Sequence, residues 1–151
     1  MAGPLTEEMQ KLIRDHSAGM VATVNDDGTP SVSPKATFVI IDESTLAFGN
    51  LRSPGTTKNI SKRPAVELNF IDVLSRKAVR VTGTAKALSK SSADAAIKSA
   101  FENGWPNLVE HMSAYVRIDV SRAEVIISPA YDHGATEAEL RRVNLDKLNN
   151  L

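Results

Sequence analysis

From Gly19 onward the chain alternates apolar with small or polar residues in short runs. Turn-forming clusters separate them, the pattern of half-buried antiparallel strands. "GMVATV" (Gly19–Val24) is the first run, and "NDDGTP" after it carries Asp27-Gly28 as a turn signal. Further strands are predicted at Ser31–Ile40 ("SVSPKATFVI"), Thr45–Asn50 ("TLAFGN"), Ala65–Ile71, Lys77–Leu88, Ala114–Val120 and Ala123–Ser128. The helical period governs elsewhere. Pro4 to His16 places Met9, Leu12 and Ile13 on one stripe behind Thr6 as N-cap. Ser89 to Asn103 gathers Ala93, Ala96, Ile97, Ala100 and Phe101 on a face and stops at Gly104. Thr57–Lys62 predicts a short helix ended by Arg63-Pro64, and Thr136 with Glu139 spells a capping box for a helical tail over about 136–148.

The order is helix, hairpin-linked strands, helical insert, strands, helical tail. Without repeated βα units a parallel sheet is not expected. The fold class that follows is mainly β, a six- or seven-stranded antiparallel sheet with flanking helices, and closure into a small barrel removes most of its edges. Residues 1–151 are expected to form a single domain.

Composition narrows the function. Lys+Arg and Asp+Glu each number 18 and aromatic residues make up 5%. Neither fits a barrel that grips single-stranded nucleic acid, so no nucleic-acid partner is expected. The absence of cysteine removes disulfides, thiolate catalysis and Cys-based metal sites. The charged N-terminus lacks a signal peptide's apolar core, and no apolar run reaches membrane-spanning length. A cytoplasmic protein without a membrane partner is the expectation. His16, His111 and His133 lack metal-ligand spacing, so no metal site is expected. Ser128, Asp132 and His133 hold the letters of a hydrolytic triad without a nucleophile elbow around the serine.

Alternation along Ser31–Ile40 sets Val32, Pro34, Ala36, Phe38 and Ile40 on one face, with Ser33, Lys35, Thr37 and Val39 on the other. Pro34 cannot donate to a ladder and so marks a sheet edge or a bulge; its neighbours are either solvated or form a strand whose backbone and Lys35 face a ligand. Arg80 and Thr82 share a face of their strand, of interest only if it adjoins the next feature. That feature is "FGNLRSPGTTKN", Phe48 to Asn59. It is not a Walker A loop: Gly49 and Gly55 are separated by five residues, and Thr56-Thr57 precede Lys58. Its chemistry still suits a phosphomonoester. Arg52 offers a fork, Lys58 a point charge, Ser53 and Thr57 hydroxyl donors, and a helix start free N–H groups. A solvated polar turn is the competing reading.

The blocks "DGTPSVSPK", "FGNLRSPGTTKNI" and "RVTGTA", in this order and spacing, resemble the pyridoxamine 5'-phosphate oxidase-like flavin-binding proteins. The likeness runs from about Gly19 to Leu88 and, more faintly, into "VIISPAYDHGATEAELR". It implies a split β-barrel and a homodimer with FMN at the subunit interface. The ring-facing positions fall on Ser33, Pro34, Lys35, Phe48, Gly49 and Asn50. The phosphate-facing ones fall on Arg52, Ser53, Thr57 and Lys58. Trp105 and Tyr131 are candidates for contributions across the interface, with ordinary aromatic packing as the alternative. The implied activity is an FMN-dependent oxidoreductase acting on a small-molecule substrate, with no catalytic residue assigned. A flavin carrier, store or sensor and an F420-dependent reductase are the alternatives, F420 replacing FMN as cofactor in the latter. The tail "YDHGATEAELRRVNLDKLNNL" lacks the Arg/Trp-rich segment of the true oxidases, so formation of pyridoxal phosphate is not expected.

Overall fold

Thr6 accepts a hydrogen bond from the Met9 amide and starts α1 (Glu7–Asp15), whose Met9 and Ile13 are buried against the sheet. The computed structural model describes residues 3–151. After α1 come β1 (Gly19–Val24), β2 (Pro30–Lys35), β3 (Phe38–Asp42) and β4 (Thr45–Asn50). Next are α2 (Pro54–Lys62), β5 (Ala65–Asp72), β6 (Lys77–Leu88), α3 (Ala95–Gly104), β7 (Ala114–Ile127) and α4 (Glu137–Asn149). Short 3-10 turns at Val109–His111 and Pro129–His133 flank β7.

The seven strands form one antiparallel sheet in the order β2-β1-β5-β6-β7-β4-β3. The meander β5-β6-β7 is its centre, and the hairpins β1-β2 and β3-β4 dock on its two sides. The outermost strands, β2 and β3, are consecutive in sequence, joined only by Ala36 and Thr37. The sheet therefore curls into a split barrel. Its two open edges are held near each other by a two-residue bridge.

That bridge corrects one sequence expectation. Ser31–Ile40 is two strands, because Thr37 crosses from one edge to the other. Its hydroxyl donates to the Gly49 carbonyl at 2.7 Å and its carbonyl accepts the Gly49 amide at 3.1 Å. The alternation changes phase at the crossing. Phe38 enters the core, while Val32 is 63% exposed and Pro34 and Ala36 lie open, so the apolar face expected for this strand is an outer surface. Pro34 does stand on an edge strand. The last two expected strands are likewise one, β7, whose register shifts opposite Thr82 and Gly83 to absorb Ser121. Gly83 is required at this bulge, since a Cβ there would lie 2.3 Å from the Asp119 carbonyl oxygen. The helix expected from Ser89 begins later. Asp94 caps α3 through the Ile97 amide at 2.9 Å, while Ser89 and Ser92 bond each other in a turn before it.

Phe38, Phe48 and Phe70 meet edge to face inside the barrel, at centroid distances of 5.5 and 4.7 Å, among Val21, Leu46, Leu68, Val79, Val81, Val116 and Ile118. Each fully buried side chain of this size stabilises the fold by roughly 1.5–3 kcal/mol. A second cluster lies under α3, where Phe101 stacks on Tyr115 at 4.3 Å beside Met112 and Ala47. The tail is fixed differently. Both bonds of the Thr136–Glu139 capping box are present, and α4 reaches the barrel through polar side chains, Arg141 to Asp72 and Asn144 to the Leu74 carbonyl. No helix among the described residues is long and apolar enough to cross a membrane.

Candidate functional site

The loop from Asn50 to α2 is a bend at Leu51-Arg52 followed directly by the helix. Ser53 is the N-cap residue, yet its hydroxyl makes no capping bond. Pro54 follows at the first helical position, where a missing N–H costs nothing. The amides of Gly55 and Thr56 are thereby left without intrahelical partners at the positive end of the helix dipole. Arg52 is exposed and forms no ion pair among the described residues. Those donors are unspent.

Two other members of the expected set are already engaged. The Thr57 hydroxyl donates back to the Ser53 carbonyl at 2.9 Å and to that of Pro54 at 3.2 Å. Lys58 lies 3.4 Å from a carboxylate the sequence reading took only as part of a turn, Asp26. Lys62 at 3.2 Å and Arg63 at 2.8 Å converge on the same group, and the Arg63 Nε also donates to the Val24 carbonyl. Hydrogen bonds from Arg63, then Lys62 and Lys58, hold the Asp26 carboxyl well below the usual carboxylate range. It is a charged group throughout physiological pH.

Asn59 fixes α2 to β1. It is buried, and its amide donates to Thr23 Oγ1 at 3.0 Å and to Asn25 Oδ1 at 2.9 Å. Sequence reasoning missed Asn59 and Asp26. The available signal was a helix face on which polar Thr56 and Asn59 alternate with Ile60. These contacts place the C-terminal end of α2 beside the start of β2, while its N-terminal end follows β4. Between those ends β2 extends about 17 Å.

At the far end of β2, Lys35 donates to Ser33 Oγ at 2.8 Å and has no carboxylate partner among the described residues. Burial pushes the Lys35 pKa below its ordinary value. The Thr37–Gly49 bonds bring this end of β2 to the end of β4. There the expected ring-facing residues divide. The Phe48 side chain is wholly buried in the barrel core, which leaves its backbone as the part at this surface. The space above Gly49 is filled by Met112, whose sulfur would lie 2.2 Å from a Cβ, so the glycine admits a methionine from this chain. Asn50 donates to Ser113 Oγ at 3.1 Å, and its Oδ1 is a buried acceptor without a partner.

Arg80 does not join the loop: it pairs with Glu67 and Glu124 across the sheet. Trp105 donates its Nε1 hydrogen to the Phe38 carbonyl, and the Tyr131 hydroxyl donates to the Ser75 carbonyl; both polar tips are held within the chain. Ser128 Oγ accepts from the Ala130 amide, a turn cap. Cavities of about 450 Å³ beside Trp105 and about 500 Å³ beside Pro64 lie away from the loop. The candidate site is an open surface along β2 and the start of α2.

The family model described as "Pyridoxamine 5'-phosphate oxidase" matches residues 5–131. No curated protein sequence matches the chain. Among solved structures, HupZ of Group A Streptococcus is 27% identical, with 82% of this chain and 95% of that one covered and a TM-score of 0.71. A candidate pyridoxamine 5'-phosphate oxidase of Lactobacillus delbrueckii is 27% identical over 80% of this chain and 93% of that one, with a TM-score of 0.66. An FMN-binding protein of Syntrophomonas wolfei shares the fold alone, at 11% identity over 79% and 84% of the two chains and a TM-score of 0.63.

Proposed function

The chain belongs to the pyridoxamine 5'-phosphate oxidase family, and from that premise we propose that it is a homodimeric, FMN-dependent oxidoreductase acting on a small molecule. The observation that carries the reading is the set of unspent donors at the start of α2. The Arg52 guanidinium, the uncapping Ser53 hydroxyl and the free amides of Gly55 and Thr56 meet where a helix dipole already favours an anion. A terminal phosphate fits that chemistry. An FMN-binding relative of the same fold supports the choice of ligand without fixing it.

In this arrangement Arg52 and Ser53 hold the phosphate, and Lys58 joins them by leaving Asp26. The Thr57 hydroxyl would join them by leaving the Ser53 carbonyl, to which the Thr57 amide stays bonded. Ser33, Pro34 and Lys35 on one side and Gly49 and Asn50 on the other would hold the ring. The partnerless Asn50 Oδ1 suits a ring N–H. FMN held there would supply the redox chemistry. Lys35 contributes a positive charge without a neutralising carboxylate, which favours an electron-rich ring beside it. No acid–base residue is required of the chain.

The test is direct. Purified protein supplied with FMN should turn yellow and retain the colour through gel filtration. NADH or NADPH should then bleach it, and an acceptor should restore it. Colourless protein after FMN addition overturns the reading. Colour that no donor bleaches leaves a carrier or sensor in place of an enzyme.

A further inference from the structure

Three cations converge on Asp26, and they are not equivalent. Arg63 is closest at 2.8 Å and is anchored a second time on the Val24 carbonyl. Lys62 reaches both carboxylate oxygens at 3.2 Å. Lys58 is the loosest at 3.4 Å, with the most exposed side chain of the three. Were Lys58 to leave, Asp26 would keep two partners and no buried charge would be uncovered. Lys58 also lies three residues after Gly55 and four before Lys62, so all three share one face of α2. Its flexible stem stands between the unspent amides at one end of the helix and the carboxylate at the other.

We propose that Asp26 is a built-in competitor for phosphate, holding Lys58 in the ligand-free protein and surrendering it when a phosphomonoester enters the loop. The proposal rests on the FMN reading above. It gives the β1-β2 turn a regulatory part. Asp26 sets how much anion the loop retains, because every phosphate must displace a carboxylate already present. Lys58 stays close to the site in both states.

The experiment uses the full chain and three probes, FMN, riboflavin and inorganic phosphate, with wild type, Asp26→Asn, Asp26→Ser, Lys58→Met and the double variant Asp26→Asn/Lys58→Met. Flavin fluorescence quenching reports the first two probes, and phosphate-dependent shifts in melting temperature report the third. Both Asp26 variants should bind FMN and phosphate about two- to fivefold more tightly, the scale of one exposed ion pair released. Riboflavin affinity should not change. The gain should vanish in the Lys58→Met background. Unchanged or weakened FMN and phosphate binding in the Asp26 variants overturns the proposal, since Asp26 would then position Lys58. A gain that survives Lys58→Met overturns it as well, by assigning the effect to general charge. Failure of the FMN reading looks different: wild type would bind FMN no better than riboflavin, whatever the phosphate arm shows.

Discussion

Arg52 and Lys58 carry equal charge in the same short loop, yet the structure gives them different work. Among the described residues Arg52 is unpaired and Lys58 is engaged, so Arg52 should contribute more to phosphate recognition. Arg52→Ala is expected to weaken FMN binding by about 1.5–3 kcal/mol, the value of a hydrogen bond to a charged group, with little effect on riboflavin. Equal losses for the two ligands in a fluorescence titration would mean the loop does not read the phosphate. At this scale the residue types were legible and their commitments were not. Thr57 and Ser53 look alike as letters; one hydroxyl is bonded to its own helix and the other is not. Gly49 is a bare letter in the sequence, and Met112, far along the chain, packs where its Cβ would be. Side-chain occupancy depends on long-range packing, which local pattern does not encode.

Among the α-helices, α4 alone buries no apolar residue, only Asn144, and it is tied to the barrel through Asp72. This carboxylate is 3% exposed. Burial opposes its ionisation, but the Ser75 hydroxyl and the Ser75 and Leu74 amides outweigh that and leave its pKa below the ordinary value. Arg141 adds a bond at 2.7 Å and His16 lies 3.6 Å away. A depressed folded-state pKa gives stability that is complete above the unfolded value of about 4 and is lost as pH falls through the folded one. Wild type should therefore lose melting temperature steeply below about pH 4. Asp72→Asn should be less stable at pH 7 and show a shallower acid limb. Parallel acid limbs in the two proteins would remove Asp72 from the account. The α4 capping box was legible because its signal is local. The split of the second strand was not, since Thr37 turns there to satisfy a strand that arrives beside it only in the folded sheet.

For the whole molecule, the question is which surface a second copy would cover. Met20 is paired with Pro34 and Ala22 with Val32, so all four project from one outer face. Met20 is 47% exposed there and Val32 63%. Zero net charge offers little repulsion between copies. The strip runs along β2 beside the residues expected to meet the ring, consistent with a cofactor held between subunits. Val32→Asp should shift a dimer toward monomer in analytical ultracentrifugation and lower FMN affinity in parallel. A dimer that persists unchanged would move the interface elsewhere. The barrel class was legible from strand count, turn spacing and the lack of βα units. The outward aim of this strip was not, because alternation gives two faces without saying which is inside.

The two-residue bridge between the outermost strands also bears on how the chain comes together in time. β5, β6 and β7 are neighbours in sequence as well as in space and can assemble early. The β3-β4 hairpin precedes them in synthesis, yet its partner is β7, through pairs such as Thr45 with Asp119. It must wait for β7 to emerge, and Thr37 then ties the β1-β2 hairpin to the same event. Pairings so distant in sequence slow folding. During that wait the nascent chain carries two finished hairpins with unpaired flanks, and Pro30 and Pro34 on β2 deny one of those flanks to any stray strand.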